Sequence, residues 1–146
     1  MEKAFYELAG DYCRFLAERE ITKDSVPALM ELLMKLYVAA LRLPKMQPET
    51  NTVPPSEGAD KTPVRISGQI PSLYWEVFDP FVPDGPVCGD LSDDLSDIAA
   101  DLMLGIMEYD AGRIGNAVFA WSFGFDDHWG SHAADALRAL HSIRTA

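Results

Sequence analysis

Two histidines and a run of aspartates are the residues of this chain whose types and spacing could do chemistry. His128 and His132 are four residues apart, so on a helix they would share one face. Upstream, residues 90–110 read DLSDDLSDIAADLMLGIMEYD and place aspartates at helical spacing. Imidazole nitrogens and carboxylate oxygens are sound ligands for divalent metal ions, although histidines at this spacing are not specific by themselves.

The aspartates of the 90–110 stretch fall into two groups. Asp90, Asp93 and Asp94 lie at the start of the predicted helix, where the helix dipole stabilises a carboxylate by about 0.3–1 kcal/mol. Asp97 and Asp101 lie beyond that first turn, and like charges four residues apart repel each other by a few tenths of a kcal/mol. We therefore expect either that groups outside this helix bind Asp97 and Asp101, or that the two carboxylates are simply solvated.

Both polar stretches flank an apolar face. We call the row of apolar residues on each helix the stripe and the row of polar residues beside it the border. Each border residue comes one residue, or 100° of rotation, before a stripe residue. On the first helix the borders and stripes are Asp90, Asp94, Asp97 and Asp101 before Leu91, Leu95, Ile98 and Leu102; on the last they are His128, His132 and Asp135 before Trp129, Ala133 and Ala136. Antiparallel helices would bring the two borders together, whereas parallel helices would separate them.

Three interpretations of the polar residues stay open at this point. In the first, Asp97 and Asp101 belong to a polar network that fixes helix register, with a histidine, an indole N–H, Arg113 or Arg138 as partner. In the second, Asp97, Asp101, His128 and His132 bind a divalent metal ion, with Asp94 nearby. In the third, they line a pocket for a small ligand or peptide, roofed by Tyr74 and Trp75. The candidate site is Tyr74, Trp75, Asp94, Asp97, Asp101, Trp121, His128, Trp129 and His132.

The elements that must position these residues are predicted to be helices. Apolar residues at spacings of three and four predict helices over about 3–19, 25–43, 90–109, 114–123 and 127–143, with Asp126 or Asp127 as the N-cap of the last. The aromatic segment 70–78 is predicted as a two-turn helix; a strand is the rival interpretation, disfavoured because no second strand is evident. We predict an all-α single domain, residues 1–146, formed by an irregular bundle of five to six helices.

Residues 43–69 form a long Pro-rich loop in this prediction. Pro44, Pro48, Pro54, Pro55 and Pro63 stand there among polar residues, with few large apolar side chains. Such a segment buries too little surface to offset the entropy of ordering. We expect it to be mobile, with a functional lid as the alternative.

Charge and composition exclude several function classes. The net charge of -11 disfavours nucleic acid and anionic membrane surfaces, and suits a basic protein partner or cations. Two cysteines are too few for a disulfide framework, and the chain shows neither a signal peptide nor a long apolar run. We expect a soluble cytoplasmic protein.

Three strings together resemble a known family: SLYWEVFDP (72–80), DDLSDIAADL (93–102) and FAWSFGFDDHWGSHAADALRALHSI (119–143). They are similar to the bacterial domain of unknown function 5063. The resemblance is dense over residues 72–143 and rests on pattern alone in the N-terminal helices. It implies a cytosolic helical protein of bacteria, and it assigns no catalytic residue because the family brings no established activity.

The functional expectation is a non-catalytic module that binds a protein partner or a small ligand without a resident cofactor. The alternative is a metal-dependent hydrolase with a divalent ion between the Asp and His helices. Sequence alone does not decide whether the chain is an enzyme.

Overall fold

A computed structural model describes residues 1–49 and 61–146. The elements are α1 (Glu2–Glu18), α2 (Val26–Leu41), β1 (Leu73–Glu76), β2 (Val87–Asp90), α3 (Leu91–Asp110), α4 (Ile114–Gly124), a π-helical segment (Phe125–Trp129) and α5 (Gly130–Thr145). Since α4, the π-segment and α5 follow one another without a break, the described residues form four continuous helical rods and one hairpin. The fold is mostly helical with a small two-stranded sheet, and both the all-α class and the count of five to six helices need correcting.

Helix α3 lies at the centre of the bundle. It packs against α1, α4 and α5, while α2 closes the bundle against α1 and α5. Leu95, Trp121 and Trp129 are completely buried along these contacts, and burial of each such side chain stabilises the fold by about 1.5–3 kcal/mol. Asp90 caps α3, because its side chain accepts a hydrogen bond from the Ser92 backbone N–H at 3.0 Å.

The predicted helix over residues 70–78 is wrong, and the rejected strand is correct. β1 pairs antiparallel with β2, with Tyr74 opposite Gly89 and Trp75 opposite Cys88. The pairing escaped prediction because the second strand, VCGD, is four residues long and offers only one residue typical of strands. Gly89 is required here, because a Cβ atom at that position would lie 2.8 Å from the Tyr74 ring.

The predicted N-cap at Asp126 or Asp127 is also wrong. No helix begins at these residues, because the chain passes from α4 into α5 through the π-helical turn. Gly130 permits this tight passage, since a Cβ atom there would lie 2.3 Å from the Phe125 carbonyl oxygen. π-Helical turns inside helices occur frequently at functional sites, and this one contains His128.

The described flanks of the Pro-rich loop contact the helices. On the first flank, the Glu49 backbone N–H donates to Asn116 Oδ1 at 2.9 Å. On the second, the Ser96 hydroxyl donates to the Thr62 carbonyl at 3.1 Å, and Ile21 pairs with Ile66 in an isolated bridge. These flanks are free of helix, as predicted. Residues 50–60, on which part of the predicted mobility falls, lie outside the described residues.

None of the helices in the described part of the chain combines the length and the apolar character that crossing a bilayer demands.

Candidate functional site

The aspartate border of α3 meets the histidine border of α5 and the π-segment. His128 Nδ1 lies 2.7 Å from Asp101 Oδ2, and His132 Nδ1 lies 2.7 Å from Asp94 Oδ1. Because residue numbers rise along one helix as they fall along the other, the helices are antiparallel. The sequence leaves open whether the helices are antiparallel or parallel, and the antiparallel arrangement is the one that brings the polar residues together.

The remaining nitrogens of the two histidines face each other. His128 Nε2 and His132 Nε2 are 3.1 Å apart, and their ring planes are nearly perpendicular at 81°. Each Nδ1 faces a carboxylate, which favours the neutral tautomer with the proton on Nδ1; that tautomer leaves a lone pair on Nε2. Two lone pairs in this contact repel each other unless they share a cation, either a proton on one ring or a metal ion.

Asp97 completes a set of three metal-ligating side chains. Its Oδ2 lies 3.7 Å from His132 Nε2, and donor atoms of Asp97, His128 and His132 all lie within 4.8 Å of one another. Asp94 and Asp101 lie on the Nδ1 side of the two rings, away from the place where the donor atoms of Asp97, His128 and His132 converge. The geometry therefore separates three candidate ligands from two carboxylates that orient the imidazoles.

Asp94 links the histidines to the hairpin. It is only 5% exposed, and its second oxygen accepts a hydrogen bond from the Tyr74 hydroxyl. The hydrogen bond with Asp94 raises the pKa of His132 and outweighs partial burial, which alone would lower it. Burial, followed by the hydrogen bond to Asp94, raises the pKa of Tyr74, so this hydroxyl stays protonated.

Two further carboxylates, Glu76 and Asp135, extend this network. Tyr74 also contacts Glu76 Oε2 at 2.9 Å. Burial raises the pKa of Asp135 to about 6, and the neighbouring charge of Glu76 and a hydrogen bond with it add to the effect. Glu76 is not among the predicted site residues, because residues 70–78 are predicted as a helix. On a strand, Tyr74 and Glu76 are two apart and point to the same face.

The contact between Glu76 and Asp135 predicts that the stability of the protein depends on pH. The folded state binds the Asp135 proton more tightly than the unfolded state, where the pKa is 3.8. The stability that the protonated Asp135 carboxyl contributes is therefore fully present below the unfolded-state pKa and is lost as the pH rises through about 6. In metal-free protein, Asp135→Asn should raise the free energy of unfolding at about pH 7.5, on the order of 1 kcal/mol after allowance for solvent screening.

Urea denaturation at two pH values checks this expectation. Near pH 5, roughly one unit below the native pKa, the gain from Asp135→Asn should fall to roughly half of its value at pH 7.5, and it should approach zero only below the unfolded-state pKa of 3.8. An equal gain at both pH values would show that the charge of Asp135 is not the cause.

Lys61 is a second residue of the cluster that is absent from the predicted site. Its ammonium group lies 2.8 Å from Asp97 Oδ1 and 3.5 Å from Asp93 Oδ1. It comes from the far flank of the Pro-rich loop, and no local pattern in the sequence connects it to α3. By pairing with one oxygen of Asp97, Lys61 leaves the other oxygen towards His132.

Several predicted site residues do not join the cluster. Trp75 follows Tyr74 on β1, points to the opposite face and is 73% exposed, so it forms no roof. Trp121 and Trp129 are buried in the core, where their indole N–H groups donate to the carbonyls of Leu102 and Trp121 at 3.0 and 3.1 Å. The two arginines proposed as partners bind elsewhere, Arg113 to Glu108 and Arg138 to Ser142.

A cavity of about 390 Å³ lies between α3 and α4, beside His128 and Asp101. Its walls include Leu104, Phe119 and Phe123. This volume is within the range of about 300–1,000 Å³ typical of small-molecule sites.

Comparison with known proteins supports the family resemblance. In the crystal structure of protein BF1032 from Bacteroides fragilis, a chain 20% identical in sequence superposes with a TM-score of 0.71, over 99% of this chain and 95% of that one. At this identity the likeness shows the fold alone. No curated protein matches the sequence. The model of the family described as a domain of unknown function (DUF5063) matches residues 1–146, and the chain therefore belongs to that family.

Proposed function

We propose that this protein binds one divalent transition-metal ion through Asp97, His128 and His132 and uses it in hydrolysis. The observation that carries the proposal is the convergence of two Nε2 atoms and one carboxylate, while each Nδ1 is already bound by a separate carboxylate. Metal-bound histidines typically donate their other ring N–H to a carboxylate or carbonyl in this way. A polar network that served only to fix helix register would not require the two Nε2 atoms to converge.

The composition of the ligand set favours an ion of zinc, manganese or iron. Two imidazoles and one carboxylate suit these ions better than Mg²⁺ or Ca²⁺, which prefer oxygen ligands. Three protein ligands leave a coordination position for water, as in catalytic rather than structural zinc sites. Zinc lowers the pKa of such a water to about 7 and polarises a carbonyl or phosphoryl oxygen.

The residues around the ligands have separate tasks in this proposal. Asp94 and Asp101 hold the imidazoles in the tautomer that presents Nε2. Lys61, beside Asp97, supplies a positive charge to an anionic substrate group. Tyr74 holds Asp94 from behind and connects it to Glu76, which in turn shares a hydrogen bond with Asp135.

A binding function without catalysis is the second candidate. The cavity beside His128 favours it, because its apolar walls can hold a small ligand next to a polar end formed by His128 and Asp101. In that case the site would bind its ligand without turnover, in agreement with the first expectation from the sequence.

Metal titration of chelator-treated protein tests the proposal. We expect Zn²⁺ or Mn²⁺ to bind with a stoichiometry of one per chain by calorimetry. Saturation at 100 times the dissociation constant adds about 2.7 kcal/mol to the free energy of unfolding, which corresponds to a rise in Tm of roughly 5–10 °C for a domain of this size. His141→Ala, on the exposed face of α5, is the matched control and should bind metal normally.

Hydrolysis of p-nitrophenyl acetate and bis(p-nitrophenyl) phosphate then separates the two candidates. Turnover that depends on the added metal supports the hydrolase, and metal binding without turnover supports the binding protein. Failure to bind either ion at saturating concentration would remove the metal site itself.

A further inference from the structure

The hairpin loop, residues 77–86 (VFDPFVPDGP), carries large aromatic side chains in contact with solvent. We call this loop the tip. Phe78 is 90% exposed and Phe81 is 95% exposed. Contiguous exposed apolar groups of this kind mark interaction surfaces rather than ordinary protein surface.

The tip is structured rather than loose. The Phe81 backbone N–H donates to Asp79 Oδ1 at 2.9 Å, and the Val82 N–H donates to the Asp79 carbonyl at 3.1 Å. Three prolines restrict the backbone further. Such pre-organisation lowers the entropy lost when the aromatic side chains become buried in a complex.

A groove elsewhere on the molecule offers complementary chemistry. It has a volume of about 730 Å³, and its floor is formed along α2 by Met30, Met34 and Val38. We call it the α2 groove. Methionine side chains adapt to the shape of what they contact, and they are common at surfaces that bind other proteins.

Charge also distinguishes the α2 groove from the rest of this acidic chain. Lys35, Arg42 and Arg144 line it. Glu31 lines it too, but it pairs with Lys35 at 2.7 Å, so Arg42 and Arg144 give the groove an excess of positive charge. The tip presents the opposite sign, because Asp79 and Asp84 flank Phe81.

We propose that the tip of one copy of this chain binds in the α2 groove of a second copy. The inference is independent of the metal site. Aromatic rings enter the apolar floor, and the two aspartates of the tip face Arg42 and Arg144. Although each copy carries a net charge of -11, that repulsion is screened beyond about 8 Å at physiological ionic strength, whereas charges in direct contact are screened far less.

The expected contact is small and reversible. Each phenylalanine buries about 150–250 Å², so the interface lies at the low end of the range, below about 1,200 Å², where complexes are weak and transient. A tip and a groove are different surfaces. The copies therefore associate reciprocally in a closed dimer or head to tail in a ring or open chain.

Sedimentation equilibrium over a series of protein concentrations tests the proposal. The tip variant is Phe78→Ser with Phe81→Ser, and the groove variant is Arg42→Glu with Arg144→Glu. We expect each variant to weaken self-association at least tenfold. Met107→Ser, at an exposed apolar side chain on α3, is the control and should associate like the wild type.

Mixing the two variants gives the sharper result. The tip variant keeps an intact groove and the groove variant keeps an intact tip, so the mixture should form a heterodimer with one of each chain. Circular dichroism confirms that both variants are folded. A wild-type chain that stays monomeric at its solubility limit, self-association that survives both variants, or a mixture that fails to pair would each overturn the proposal. Tip-dependent flotation of a monomeric chain with phosphatidylcholine vesicles would overturn it as well, in favour of a membrane.

Discussion

His132→Ala should lose metal binding, with the dissociation constant for Zn²⁺ rising by more than about 100-fold. The substitution removes one of three ligands, and loss of an orienting carboxylate alone typically costs 10–100-fold. It also deprives Asp94, which is only 5% exposed, of the imidazole that it binds at 2.7 Å. Competition with a chromophoric chelator measures the dissociation constant directly.

The neighbouring variants should follow a graded order. His128→Ala removes a second ligand and should match His132→Ala. Asp94→Asn and Asp101→Asn leave all three ligands in place but remove the negative charge behind each ring, so each should weaken binding by about 10–100-fold. His141→Ala should change nothing. If His132→Ala binds zinc as tightly as the wild type, the two histidines form a polar network and not a metal site.

The helical borders that form this site were predictable, but their meeting was not. Periodicity alone places Asp97 and Asp101 on one border and His128 and His132 on another. The choice between antiparallel and parallel helices stayed open because the predicted N-cap at Asp126 or Asp127 indicated a break, after which the last helix could have run in either direction.

The π-helical segment removes that freedom. It joins α4 to α5 in one continuous rod, and the turn at Gly112, with a φ of +80°, folds this rod back against α3. A short connection between helices makes them antiparallel neighbours. The borders then had to meet, but no local pattern in FDDHW identifies a π-helical turn rather than a helix start.

Glu76 and Lys61 show a different limit of sequence reasoning. Glu76 reaches the site only because β1 pairs with VCGD, a strand whose own residues carry almost no strand preference. Lys61 reaches Asp97 from a segment whose composition predicts a loop, and the two are 36 residues apart. Both depend on contacts between distant parts of the chain, and neither can be read from spacing.

Gly105→Ala should destabilise the protein by roughly 2–4 kcal/mol, although alanine is the better helix former by about 1 kcal/mol. Gly105 lies within α3, and a Cβ atom there would lie 2.0 Å from Trp121 Nε1. That indole is completely buried and donates to the Leu102 carbonyl at 3.0 Å. Overpacking typically costs 1–3 kcal/mol, and an indole N–H that loses its buried partner costs about as much again.

Gly10→Ala is the matched control for this substitution. Gly10 also lies within a helix, but the nearest atom to its added Cβ would be a flexible Arg14 nitrogen at 3.7 Å. Here helix propensity acts without a clash, and the free energy of unfolding should rise by about 0.5–1 kcal/mol. Urea denaturation, with unchanged m-values, measures both variants. If both glycine substitutions change the free energy of unfolding by the same amount, α3 and α4 can separate enough to admit a methyl group. In that case the packing of these helices does not fix the distance between Asp101 and His128.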